Sequence, residues 1–115
     1  MIVRQGATRT VLLTRRHAIK VPRPTNWRLF LAGLLANMQE RQFARTGWPQ
    51  LCPVRWSTPG GWLLVMPRCR PLRQPLTQDE YEAFVEHDDY RVPVEWKTDS
   101  FGYLAGRLVA IDYGS

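Results

Sequence analysis

The first twenty residues carry short apolar runs of strand character, and the period then changes. Val11-Leu12-Leu13 is a brief apolar run followed by polar Thr14-Arg15-Arg16. Over residues 17–21, Ala18 and Lys20 fall on one face and His17, Ile19 and Val21 on the other, the period of two expected of a strand. The two runs are expected to pair as a hairpin, with Pro22 and Pro24 ending the second strand. From Trp27 to Ala44 the pattern turns helical. Trp27, Phe30, Leu31, Leu34, Leu35 and Met38 follow i, i+3, i+4 spacing and give the helix an apolar side. Thr25 or Asn26 suits the N-cap, and Gly47 and Pro49 stop the helix.

Residues 51–56 read as a strand with an edge-type proline, Pro59-Gly60-Gly61 as a turn, and residues 62–66 as a buried strand, together a β-hairpin. Residues 67–75 are basic and proline-rich, a connector. Thr77-Gln78-Asp79-Glu80 has the spacing of a capping box, and Tyr81, Phe84 and Val85 give the short helix after it an apolar side. Residues 92–96 are extended, and residues 101–111 form a last hairpin that turns at Ala105-Gly106. The expected fold is α+β: an antiparallel sheet of about five strands with one main helix packed on it, then a short helix and a C-terminal β-hairpin. Residues 1–115 form a single domain in this reading, with 67–76 a hinge-like connector between 1–66 and 77–115.

Composition narrows the class without naming a function. With 44% hydrophobic and 23% charged residues the chain is a folding sequence, not a disordered one. No apolar run approaches the roughly 18 residues of a membrane span, and MIVRQGATRT lacks the apolar core of a signal peptide, so a cytoplasmic protein is expected. Cys52 and Cys69 are too few for a disulfide framework or a CxxC metal pair and read as buried or inert thiols. Charge is unevenly spread: residues 1–76 hold thirteen bases and one acid, Glu40, whereas residues 77–115 hold three bases and nine acids. The basic part could face a polyanion such as nucleic acid, but pairing of the two parts within the fold is the favoured reading. His17 reads as a packed histidine and His87 as a helix C-terminal cap; with Asp88 and Asp89, His87 matches no known metal-ligand spacing. Most of the five tryptophans are expected in the core, and any left exposed would mark a partner surface.

Three features follow one another in an order that resembles a protein kinase. Ala18-Ile19-Lys20, in a strand before the main helix, resembles the family's Val-Ala-Ile-Lys strand, whose lysine contacts nucleotide phosphates. Glu40 lies in the helix that follows, where the family carries the glutamate that pairs with that lysine. Glu95-Trp96-Lys97-Thr98-Asp99-Ser100, then a hairpin, then Asp112-Tyr113-Gly114, is similar to the catalytic loop Asp-x-Lys-x-x-Asn followed by Asp-Phe-Gly. Residues 62–66 with Pro67-Arg68 resemble the strand and hinge where adenine docks. The resemblance spans residues 8–114 or so and implies these roles: Lys20, Glu40 and Met66 bind nucleotide, Asp112 and Ser100 hold metal, and Glu95 and Lys97 are catalytic. It implies ATP and Mg²⁺ as cofactors, and none if the site is degenerate.

The departures point away from catalysis. Only Gly6 stands where a glycine-rich loop should precede Lys20. Glu95 replaces an aspartate, and misplacing a reacting group by about 1 Å can slow a reaction greatly. Ser100 replaces the asparagine, and no activation segment or helical lobe is expected beyond Asp112. Short, arginine-rich chains of this kind resemble phage or prophage products. The expected function is therefore a catalytically impaired, kinase-like interaction module with a protein partner, a host protein in the host cytoplasm if the chain is phage-encoded. The alternatives are a minimal ATP-dependent phosphotransferase using Lys20, Glu40, Glu95 and Asp112, and a basic nucleic-acid-binding module.

Overall fold

A computed structural model describes residues 2–6 and 8–113 and begins with a strand that the sequence pattern did not signal. Strand β1 (Ile2–Gln5) is exposed at all four residues, so no alternation of buried and exposed positions marks it. It pairs antiparallel with β2 (Arg9–Leu13), which pairs with β3 (His17–Pro22) as the expected hairpin, Val11 lying opposite Lys20. The β2–β3 turn closes through Thr14, whose hydroxyl accepts the His17 N–H at 3.1 Å.

Helix α1 (Trp27–Ala44) has the expected bounds, and Asn26 caps it by accepting the Arg28 N–H at 2.8 Å. Its orientation is the opposite of what an apolar stripe suggests. Gly33, Asn37 and Glu40 are the buried residues, on the face turned to the sheet. Trp27, Leu31, Leu35 and Met38 are 67%, 53%, 53% and 42% exposed. Leucines and alanines lie all round this helix, so hydrophobic period alone does not choose its inner face. The polar contacts of Asn37 and Glu40 choose it, and Gly33 permits the approach. A Cβ at Gly33 would stand 2.5 Å from the Thr8 carbonyl oxygen and 2.8 Å from the Pro22 Cα.

Strands β4 (Trp56–Ser57) and β5 (Leu64–Pro67) complete a five-stranded antiparallel sheet in the order β1-β2-β3-β5-β4. The strand expected over residues 51–56 is thus reduced to its end. Leu51 and Cys52 leave the first sheet and bond to Ala110, Cys52 N–H donating to the Ala110 carbonyl at 2.9 Å. Pro53, with no N–H to give a ladder, lies between. Strand β5 begins at Leu64, so Trp62 stands outside it and is 57% exposed. The connector also contains a strand, β6 (Arg70–Pro71), at the edge of a second sheet of order β6-β7-β8, with β7 (Phe101–Leu104) and β8 (Arg107–Ala110) forming the expected hairpin.

Helix α2 (Gln78–Val85) starts in the expected capping box: Thr77 Oγ1 accepts the Glu80 N–H at 3.2 Å and Glu80 Oε1 accepts the Thr77 N–H at 3.0 Å. The bond from the Thr77 backbone holds the Glu80 carboxyl below its ordinary pKa. Its stabilising contribution is therefore present above the ordinary carboxylate range and is lost as pH falls through the lowered value. Thr77→Ala is expected to cost about 1 kcal/mol in urea unfolding at neutral pH.

The core lies between β5, α2 and the second sheet rather than beneath α1. Leu64, Met66, Val85, Val92, Phe101 and Val109 are each at most 1% exposed. The expectation that most tryptophans serve this core is corrected: Trp27, Trp56, Trp62 and Trp96 are each at least half exposed, and only Trp48 is partly buried, stacked on Tyr90 with ring centroids 4.0 Å apart. Among the described residues no helix is long and apolar enough to cross a membrane.

Candidate functional site

Lys20 projects from the inner face of β3 and is 5% exposed. Burying an ammonium is costly unless an opposite charge and hydrogen bonds meet it. Glu40, fully buried on the facing side of α1, supplies both: Lys20 Nζ donates to Oε1 at 2.8 Å and to Oε2 at 2.9 Å. A third bond from Nζ goes to the carbonyl of Ile111, just past β8. That bond ties the first sheet to the segment carrying Asp112.

Two further residues, Arg9 and Asn37, complete the network, and no motif in the sequence marks either of them. Arg9 lies on the same face of the sheet as Lys20, because Val11, two residues along β2, sits directly opposite Lys20. Its guanidinium contacts Glu40 Oε1, donates to Asp112 Oδ1 at 2.8 Å, and donates to Asn37 Oδ1 at 3.1 Å. Asn37, one helical turn before Glu40, donates from Nδ2 to the Lys20 carbonyl at 3.1 Å and the Gly61 carbonyl at 2.8 Å. The buried side-chain polar atoms among the described residues all have partners.

Asp112 is held from both sides. Before it, the Ile111 N–H donates to the Ser100 carbonyl at 2.9 Å. After it, Tyr113 is 2% exposed and its hydroxyl donates to the Cys52 carbonyl at 2.7 Å. Burial pushes the Tyr113 phenol pKa upward, so it remains a donor. The Asp112 side chain itself is 55% exposed and leans back onto Arg9. Gly114, the last residue of the resemblance, lies outside the described residues.

The remaining sequence-expected residues are distributed around this centre. Glu95 and Lys97 are exposed and pair with each other at 3.0 Å. The Glu95 carboxylate, and more weakly those of Asp99 and Asp112, raise the Lys97 pKa. Ser100 is 2% exposed, in a short 3-10 turn leading into β7. Met66 is 1% exposed, opposite Ala18 in the sheet. His87 stacks on Tyr90 at 4.8 Å and contacts the Gln50 amide and the Phe84 carbonyl. Among the described residues no three His, Cys, Asp or Glu side chains gather where a metal ion could be held. Arg68, Arg70 and Arg73 line a separate open groove of about 850 Å³ beside Tyr103.

The two thiols are neighbours despite their spacing in sequence, Cys52 Sγ lying 3.5 Å from Cys69 Sγ. The hydrogen bond between the two thiols lowers the Cys69 pKa, and with burial it raises that of Cys52. Diamide, a two-electron thiol oxidant, is therefore expected to join them. The Cys69 thiolate attacks the azo bond, Cys52 displaces the adduct, and the hydrazine carries off both electrons and both protons. Loss of both titratable thiols without a dimer on a non-reducing gel is the expected result; retention of both thiols would contradict the geometry.

Compared with known protein families, curated proteins and solved structures, the chain shows no match. The chemistry of the site therefore rests on its own residues. Arg9 and Lys20 carry two positive charges, Glu40 and Asp112 two negative ones, and the four neutralise one another. A phosphate arriving here competes with Glu40 for Lys20 and with both acids for Arg9. A divalent cation competes with the Arg9 guanidinium for Asp112.

Proposed function

We propose that the chain is a catalytically impaired, kinase-like interaction module whose partner is a protein. Its kinase-like aspect is supported by the meeting of the lysine strand, the glutamate helix and the post-hairpin aspartate at one point. The impairment is carried by a single observation: Arg9 bonds Glu40 and Asp112 together. In the resembled family the aspartate holds Mg²⁺, and here a built-in cation engages that carboxylate. The Glu95 carboxylate is likewise engaged, by Lys97.

A direct test is incubation of the purified chain with γ-labelled ATP and Mg²⁺, alone and with generic protein acceptors. The expected result is no label in any protein above a chain carrying Asp112→Ala. Label that disappears in the Asp112→Ala and Lys20→Ala variants would replace this reading with a working phosphotransferase. That second reading draws support from the formed Lys20–Glu40 pair and the half-exposed Asp112 carboxylate. Nucleic-acid binding is the third, and the groove holding Arg68, Arg70 and Arg73 is where it would occur.

A further inference from the structure

Helix α1 turns its polar face inward and leaves an apolar face unpartnered. Trp27, Leu31, Leu35 and Met38 recur at helical spacing, each 42–67% exposed, on the side opposite Asn37 and Glu40. From Trp27 to Met38 this face runs for about 16 Å, or three turns. Trp62 widens it: its ring is 57% exposed and meets Phe30 edge-on at 5.1 Å. Large apolar surface concentrated in one strip is costly to leave in water and marks a contact surface.

Charge selects the occupant. Arg28 and Arg41 flank the strip on the helical wheel, and Arg45, the C-cap residue, lies beyond its C-terminal end. The Arg28 guanidinium lies 5.2 Å from the Trp27 ring, at the edge of the strip. The helix carries no acid to balance them other than Glu40, which is fully buried and already paired. A second copy docked here symmetrically would bring three arginines from each chain together with no acid between them, which opposes self-association. A helix with an apolar stripe and flanking carboxylates answers both features at once, since docking onto such a surface is read through i, i+3, i+4, i+7 anchors.

We infer that the outer face of α1, centred on Leu31 and Leu35, binds an acidic amphipathic helix of the partner protein. The inference rests on the reading of the chain as an interaction module and gives that module its contact surface. Arg28 and Arg45 set the sign of the partner's charge, and Trp27, Leu31, Leu35, Met38 and Trp62 supply its apolar seat.

The probe is a synthetic amphipathic peptide of about 18 residues, long enough to become helical, with leucines at i, i+3, i+4 spacing and glutamates beside them. A second peptide is identical except for lysine in place of glutamate. Fluorescence anisotropy with the full chain is expected to show the glutamate peptide binding at least tenfold more tightly, with affinity falling as salt rises. Leu31→Ser with Leu35→Ser is expected to abolish that binding and leave the unfolding midpoint little changed. Arg28→Glu with Arg45→Glu is expected to reverse the preference towards the lysine peptide. Equal binding of the two peptides, binding of neither, or unchanged binding by the serine variant overturns the inference. So does sedimentation as a dimer that becomes monomeric in the serine variant, because a second copy would then own the face. ATP binding by the native chain would remove the impaired-kinase reading and leave this surface standing; failure of both peptides would remove the surface and leave the impaired-kinase reading.

Discussion

Glu40→Ala is expected to destabilise the chain by about 3–5 kcal/mol, the cost of stranding buried charge by removing one partner. Glu40 is fully buried and is the shared acceptor for Lys20 and Arg9. Without it, Lys20 keeps only the Ile111 carbonyl and Arg9 only Asn37 and the half-exposed Asp112. Two cations then stand in a space from which water has been removed. Gln in place of Glu40 keeps the shape and one acceptor oxygen but no charge, so it is expected to recover only part of the loss. Lys20→Met added to Glu40→Leu is expected to recover more than either single change predicts, because a buried pair replaced by apolar groups of similar size costs little. Urea unfolding of Glu40→Ala, Glu40→Gln, the two single changes Lys20→Met and Glu40→Leu, and their combination checks this. Additive losses would mean that the pair is not coupled as its geometry requires.

Arg9→Ala comes second in expected effect, at about 3 kcal/mol, and also changes what the site can bind. The truncation leaves the Asn37 carbonyl oxygen without its donor and Glu40 with Lys20 alone. Asp112, already half in water, is released at little cost. The local charge moves from zero to minus one, with a free carboxylate at the surface. A divalent cation that had to displace a guanidinium in the native chain now meets an open acid. Millimolar Mg²⁺ is expected to raise the unfolding midpoint of Arg9→Ala while leaving the native chain unmoved, since a ligand that binds the folded state must stabilise it. If Mg²⁺ raises both midpoints equally, Arg9 does not guard Asp112.

Lys20 was picked out by the resemblance of Ala18-Ile19-Lys20 to the kinase strand, and local chemistry then left Glu40 as its partner. Glu40 is the only acid in the first 76 residues, and a strand lysine before the helix has no other nearby partner. Asp112 was marked by the resemblance of Asp112-Tyr113-Gly114, after a hairpin, to the kinase Asp-Phe-Gly. Helix limits were legible from capping chemistry, as at Asn26 and Thr77. The inner face of α1 was not. The helix's apolar residues lie all round it, and the buried ion pair decides, since Glu40 reaches Lys20 only if Trp27, Leu31 and Leu35 look outward. Arg9 was hidden for another reason. Its place beside Lys20 depends on the register of β2 against β3, and a one-residue slip would put it on the other face. The 51–56 run misled because Leu51 and Cys52 are buried and bond to Ala110 of the second sheet, a contact between distant parts of the chain.

The proposed closing of the site by Arg9 is tested most directly by thermal unfolding with and without ATP and Mg²⁺. The native chain, Lys20→Ala and Asp112→Ala would be compared at equal protein concentration and saturating ligand. With Arg9 in place, the native midpoint is expected not to move with ligand, and the two variants are expected to melt lower but equally without response. A native midpoint that rises with ATP and Mg²⁺, by an amount lost in both variants, would contradict it and show that Lys20 and Asp112 hold a nucleotide and its metal in spite of Arg9.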